Sequence, residues 1–367
     1  MQEVQEKNIP LIEYLESIGF KAHTNHGKVF YKNFHSVENE VKCLYTGVGL
    51  RYISGHAVIE LRGADTIDFL HRITTNSLKD LNKEEIRTAL FTTEKGRIID
   101  RTTLLNFGDY QLLVVSPENK KKVVSWIDKY TINDDVKIID DAEKYTLLEL
   151  IGPQAESFLS MICGNVINEI EPNKFKVISA EDMLFFTARI VDEFGNKKFW
   201  LIADIHNGQR LVQFMIENKG VFDFSLVGED AYQIYRVEKG IPSAPFEIND
   251  NYNPHEVGLV KLINQKKGCY IGQEVIARLE TYNKVQRILK GIIFNSNPVE
   301  GEEYQLRDEK DLDAGNITSM VYSYKLKKHI GLALIRRTYA ETGTVLTARS
   351  TNTSLQVIVE NIPLINT

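Results

Sequence analysis

The chain has 367 residues, 43% of them hydrophobic and 26% charged, with a net charge of −6. It is too long for one ordinary core, so two or three domains are expected, and the acidic balance gives no support to direct nucleic-acid binding through a basic surface. The polar start Met1–Glu6 and the lack of an apolar run of ~18 residues argue against a signal peptide and a membrane helix, while three dispersed cysteines without C-x-x-C fit a reducing cytoplasm and oppose a self-contained zinc or iron–sulfur site.

Taken in order, Pro10 to Ile18 reads as a helix with Leu11, Ile12, Leu15 and Ile18 on one face and Gly19 ending it. His23 and His26 look like a ligand pair, but no third ligand follows nearby, so metal binding is not expected there. From 56 to 235 the chain repeats itself at a constant offset of 89 (152 minus 63). Val58–Asp65 with Phe69 and Leu70 returns as Leu148–Gln154 with Phe158 and Leu159, and Tyr110–Leu113 returns as Phe199–Ile202. Each copy reads strand, helix, strands, helix. In the first, Ser116 is the expected cap and Pro117 the first residue of a helix whose expected buried stripe is Val123, Val124, Trp126, Ile127 and Tyr130. In the second, Asn207 is the expected cap. The run Lys120–Lys122 reads as a solvated face. Two similar α+β units side by side create a natural ligand cleft.

Within the first copy, Thr93-Glu94-Lys95-Gly96 reads as a hairpin turn, and alternation along the next strand puts Ile98, Asp100 and Thr102 on one face. An acid on the face of Ile98 reads as an edge or end position with water access, or as a partner of Arg97 or Arg101. Residues 230–242 form a punctuated helix, capped by Asp230 and stopped by Gly240 and Pro242, with Tyr232 one turn before Arg236 on the same face. Lys267-Gly268-Cys269-Tyr270-Ile271-Gly272-Gln273-Glu274 then sets a cysteine between two glycines, beside two lysines and a helix start, a setting that favours a thiolate. A buried small residue at a tight turn is the alternative. From about 285 short strands without helices suggest a small antiparallel barrel. There is no G-x-x-x-x-G-K-[ST] and no dinucleotide fingerprint.

The octapeptide 267–274 resembles the K-G-C-[FY]-x-G-Q-E signature of the YgfZ family, folate-binding relatives of the glycine cleavage T-protein. Gly96-Arg97-Ile98-Ile99-Asp100 is similar to the T-protein pattern G-x-I-x-D, residues 235–242 resemble its L-R-L-E-A-G-L-P element with Arg236 as the arginine and Glu238 as the glutamate, and 315–319 and 329–334 resemble its barrel. The resemblance implies an α+β fold: two ferredoxin-like units sharing a ligand cleft, plus a C-terminal antiparallel β-barrel. The expected division is 1–145, 146–284 and 285–367. It further implies tetrahydrofolate held by Asp100 and Arg236, with Tyr232 and His56 as aromatic neighbours, and Cys269 acting at the rim. The function so implied is support of iron–sulfur cluster assembly or repair in client enzymes, tRNA-modifying ones included, by a cytoplasmic monomer. Its partners would be folate and iron–sulfur client or assembly proteins. The alternative is a folate-dependent aminomethyltransferase or demethylase of the T-protein type, and a third reading is a scaffold that has lost folate. The T-protein stretch Y-T-G-E-D-G-F-E is replaced here by Val191–Phe199, which counts against aminomethyl transfer.

Overall fold

The computed structural model describes residues 9–25, 28–53, 57–141, 144–281, 285–299 and 301–366. The chain divides into two compact units. The first comprises Met1–Phe91, Asp100–Tyr232 and Asn264–Gly268; the second comprises Thr92–Ile99, Gln233–Ile263 and Cys269–Thr367. Both copies of the repeat thus contribute their sheets and helices to the first unit.

That unit holds two sheets of closely related topology. The first copy orders its strands Ile86–Thr92, Ile98–Asn106, Gln111–Val114, Val58–Arg62 and Lys137–Ile139. The second orders Lys174–Ala180, Met183–Val191, Lys197–Asp204 and Tyr145–Ile151 in the same way, then inserts Val48–Ile53 before the edge strand Phe224–Leu226. The inserted strand pairs antiparallel with Tyr145–Ile151 and parallel with Phe224–Leu226. Tyr145–Ile151 is central and buried on both faces, which is why its sequence is a nearly unbroken apolar run. The repeated glycine also has a steric cause: Gly63 and Gly152 have φ of +127° and +123°, and a Cβ would lie 1.8 Å from the Asp135 carbonyl oxygen and 2.3 Å from that of Gly47.

The two sheets pack face to face. One core cluster joins Val58, Leu105, Leu112 and Val114 of the first with Leu147, Ala188, Trp200 and Ile202 of the second. A larger cluster lies on the other side of the second sheet, under the helices Pro10–Ser17, Ala155–Cys163 and Ile205–Glu217. In the second unit, six strands from Arg287–Phe294 to Ser354–Glu360 close into an antiparallel barrel around Ile292, Leu306, Ala333 and Val357. The architecture is therefore α+β with a C-terminal antiparallel barrel, as expected.

Several helix starts differ from expectation. The helix Lys120–Tyr130 begins after Asn119 rather than Ser116. Ile205–Glu217 is capped by Asp204, whose carboxylate takes the His206 and Asn207 N–H groups, so Asn207 lies inside the helix. Glu229–Lys239 begins one residue before Asp230, which lies inside the helix, and the N–H groups of Glu229 and Asp230 donate to the carbonyls of Tyr31 and Lys32. Lys120 is buried and paired with Asp140, whereas Lys121 and Lys122 are exposed as expected. Among the described residues no helix is long and apolar enough to cross a membrane.

Candidate functional site

Strand pleat decides which side chains can face the space between the two sheets. Thr103 pairs with Val114 and Leu105 with Leu112, and Leu105, Leu112 and Val114 belong to the inter-sheet core. Odd-numbered residues of Ile98–Asn106 therefore face the second sheet, and Asp100 faces away. Its carboxylate accepts the Ser116 N–H at 2.8 Å and the Asn119 side-chain amide at 3.2 Å, ahead of the helix Lys120–Tyr130. Burial raises its pKa to about 6, against the lowering effect of those donors. Asp100 anchors the start of that helix in this structure.

Arg101, the next residue, lies on the inter-sheet face. Its Nη2 donates to Glu193 at 2.7 Å, and Glu193 stands on the turn between the strands Met183–Val191 and Lys197–Asp204. Three residues of the second sheet continue this polar layer. Glu149, in the middle of the central strand, is bonded by Lys198 at 2.6 Å, by the indole N–H of Trp200 at 2.9 Å and by Arg51 at 3.4 Å. Burial alone would raise the Glu149 pKa, but Lys198 and Arg51 hold it below the usual carboxylate range. Arg51 also donates to Glu229 at 3.0 Å, and its guanidinium lies 3.6 Å over the Tyr232 ring. Tyr232 thus stands beside the polar layer, while Arg51, Arg101, Lys198, Glu149 and Glu193 were missed.

Their signal was legible: each of Arg51 and Glu149 is a charge inside an apolar strand run, where an unpaired charge is costly. The repeat sharpens it. Glu60 is the first-copy equivalent of Glu149 and is equally buried. Its network is closed, with Arg62 Nε and the Tyr145 hydroxyl each at 2.6 Å and Lys144 beside them. Around Glu149, by contrast, the Nε–H groups of Arg51, on the strand inserted into the second sheet, and of Arg101, on the first-sheet strand that faces it, are buried with no acceptor among the described residues. An unmet buried donor costs about 1–3 kcal/mol, so this inter-sheet layer has capacity for a ligand that the network around Glu60 lacks.

The remaining expected residues fall elsewhere. Arg236 belongs to the second unit and is almost fully buried. It pairs with Glu247 at 3.2 Å, donates to Ser319 at 2.7 Å, bonds Gln233 and stacks near Phe246. In this structure its guanidinium is held by internal partners. His56 and His26 lie outside the described residues. Cys269 is exposed, so the buried-turn alternative does not hold. Gly272, at φ +82°, lets the backbone approach Thr93, where a Cβ would stand 2.4 Å from the carbonyl oxygen. The Lys267 ammonium donates to the His71 and Thr74 carbonyls at the end of the helix Thr66–Ile73, and burial lowers its pKa to about 8.

The sequence profile of the GCVT N-terminal domain matches residues 16–267, and that of the glycine cleavage T-protein C-terminal barrel domain matches 287–364. The chain belongs to the glycine cleavage T-protein family. Curated relatives named aminomethyltransferase include one from Caldanaerobacter subterraneus subsp. tengcongensis, 26% identical over 98% of this chain and 93% of its own length. Another, from Oceanobacillus iheyensis, is 27% identical over 93% of each. Among solved structures, the glycine cleavage system aminomethyltransferase T from Bartonella henselae covers 97% of both chains with a TM-score of 0.84 at 19% identity, a likeness of fold.

These findings overturn the main functional reading made from the octapeptide. T-protein profiles and aminomethyltransferase relatives run through nearly the whole chain, and none of them points to YgfZ or to iron–sulfur clients. Eight matched residues mark the T-protein superfamily, but they are too few to choose a branch within it.

Proposed function

We propose that this T-protein relative is a tetrahydrofolate-dependent one-carbon transferase of the aminomethyltransferase type, taking a one-carbon unit from a substituted amine. The observation that carries it is the near-complete span of the aminomethyltransferase relatives, 93–98% of the chain. Tetrahydrofolate would supply the nitrogen atoms that accept the one-carbon unit.

The polar layer of the first unit fits such a ligand. A reduced pterin carries both hydrogen-bond donors and acceptors. Arg51 and Arg101 provide buried donor groups without acceptors, Glu193 provides a carboxylate, and Tyr232 provides an aromatic face. In this reading Glu193 takes the donor-bearing edge that Asp100 cannot reach. Arg101 fixes the Glu193 carboxylate through its charge-assisted bond, and Glu149, bonded by Lys198 and Trp200, holds the Arg51 guanidinium in place. The apolar inter-sheet core beside the layer limits water.

Calorimetric titration with tetrahydrofolate, followed by assay of methylene-tetrahydrofolate formation from aminomethyl and N-methyl donors, tests the proposal. Binding with turnover of one donor is expected. Absence of binding would overturn the folate reading, and binding without turnover of any donor would overturn the transferase reading.

A further inference from the structure

The strand Lys174–Ala180 is the outer edge of the second sheet and pairs on its inner side with Met183–Val191. The turn between them fixes which backbone groups point outward. Glu181 and Asp182 both have positive φ, +48° and +57°, the pattern of a type I′ hairpin that closes on the hydrogen-bonded pair Ala180 and Met183. Alternation then turns the backbone groups of Lys176, Ile178 and Ala180 inward and those of Phe175, Val177 and Ser179 outward. The start of this edge is covered by residues 84–86: the Phe175 N–H donates to the Glu84 carbonyl at 3.0 Å, and the Asn173 carbonyl receives the Ile86 N–H at 2.9 Å. The cover ends there, and the outward groups of Val177 and Ser179 have no backbone partner among the described residues.

The open stretch also carries apolar side chains. Phe175 belongs to the inter-sheet core, so Val177 shares its face, with Phe186 beside Val177 and Leu184 beside Ser179 across the hairpin. The core gives out at this corner, where Val177 is 53% and Leu184 56% exposed. An unpaired edge next to exposed apolar side chains is a template for a further strand.

The charges along the edge select that strand. The uncovered edge runs from Lys176 to Asp182, with Ser179 at its centre. A second copy laid antiparallel about a two-fold axis sets Ser179 against the partner's Ser179, Val177 against the partner's Glu181 and Lys176 against the partner's Asp182. The Glu181 and Asp182 side chains are exposed and make no ion pair among the described residues, while Lys176 holds only the exposed Glu169. The basic half of each edge thus meets the acidic half of the other, the self-complementarity a two-fold interface requires.

We propose that this chain forms a two-fold dimer through the edge strand Lys174–Ala180, joining the second sheets of two copies edge to edge across Ser179. The surface lies wholly in the first unit and does not depend on the transferase reading.

Sedimentation equilibrium on the full chain, from low to high micromolar concentration, tests it. Wild type is dimeric. Ser179→Pro is monomeric with an unchanged melting temperature, because proline removes an N–H that bonds nothing in the single chain. Should that variant unfold, cross-linking in a Cys269→Ser background decides. With a mild oxidant Ser179→Cys forms a disulfide between copies, since hydrogen-bonded cross-strand neighbours have Cα atoms about 5.5 Å apart. Val177→Cys does not, because its two copies lie about 13 Å apart along the strands. A wild type that stays monomeric at every concentration would overturn the proposal and leave the edge to an extended segment of another protein. A dimer that survives Ser179→Pro, or Val177→Cys cross-linking as readily as Ser179→Cys, would overturn it by placing the interface elsewhere.

Discussion

Asp100 and Arg101 are neighbours on one strand and serve opposite faces of the sheet. Asp100 anchors the start of the helix Lys120–Tyr130 through Ser116 and Asn119, and Arg101 reaches Glu193 on the face turned to the second copy of the repeat. A pattern that ends on the acid therefore stops one residue short of the side chain facing the inter-sheet space. This one-residue alternation is the ordinary period of a strand.

It separates two substitutions. Arg101→Ala lowers tetrahydrofolate affinity by about tenfold or more, the effect of losing a buried charge-assisted contact of ~1.4 kcal/mol. Asp100→Asn leaves that affinity within about twofold, because its carboxyl faces the helix. Calorimetric dissociation constants for the two variants check this; the reverse order would place the ligand on the helix side.

Asp100 also predicts a pH effect on stability. Burial raises the pKa of its carboxyl to about 6 in the folded chain, from the 3.8 of an unperturbed aspartate. The folded state thus holds the proton more tightly than the unfolded state. The associated stability is fully present below pH ~4 and is lost as pH rises through about 6, amounting to about 3 kcal/mol. Asp100→Asn does not titrate, so its stability relative to wild type improves from pH 4 to pH 7. Urea denaturation of both proteins at several pH values measures the difference, and parallel pH curves would contradict the assignment.

Arg236 and Glu247 form a pair with almost no exposure, 1% and 0%. Arg236→Ala leaves Glu247 with the Ser243 N–H and the hydroxyls of Thr318 and Ser319 but no cation. The expected loss is about 3–5 kcal/mol of unfolding free energy. Adding Glu247→Gln to Arg236→Ala recovers part of it, since the uncompensated charge is then gone. A loss below ~1 kcal/mol in Arg236→Ala would show that the pair does not stabilise the fold.

Much of the fold was legible in the sequence for reasons these residues make plain. The offset joining Gly63 to Gly152 marks two backbone positions that no side chain could occupy, so the repeat was written in residues with little freedom to vary. The barrel strands carry their own alternation. The insertion of Val48–Ile53 into the second sheet was not legible, because strand pairing between distant segments leaves no local period. The site was harder still. Motif matching favoured Asp100 and Arg236, both of which satisfy their charges internally, whereas Arg51, Glu149 and Lys198 belong to no motif and become visible as a group only when two sheets are laid together. Helix starts were misplaced where the caps come from distant chain, as with the Tyr31 and Lys32 carbonyls at Glu229 and Asp230.

Cys269 is the exposed member of three free thiols. Cys43 is buried and donates to the Val48 and Asp223 carbonyls, and burial pushes both Cys43 and Cys163 up to about 11. Thiolate is the reactive form, so an aromatic disulfide reagent at pH 8 should label one thiol of the native chain rapidly and the other two only on unfolding. Cys269→Ser removes the fast phase and changes unfolding free energy by no more than ~0.5 kcal/mol, as expected for an exposed side chain. In one-carbon transfer between an amine and tetrahydrofolate no step calls for a thiol. Turnover of Cys269→Ser is therefore expected to stay within about twofold of wild type, and a larger fall with unchanged tetrahydrofolate affinity would return the sulfur to the reaction.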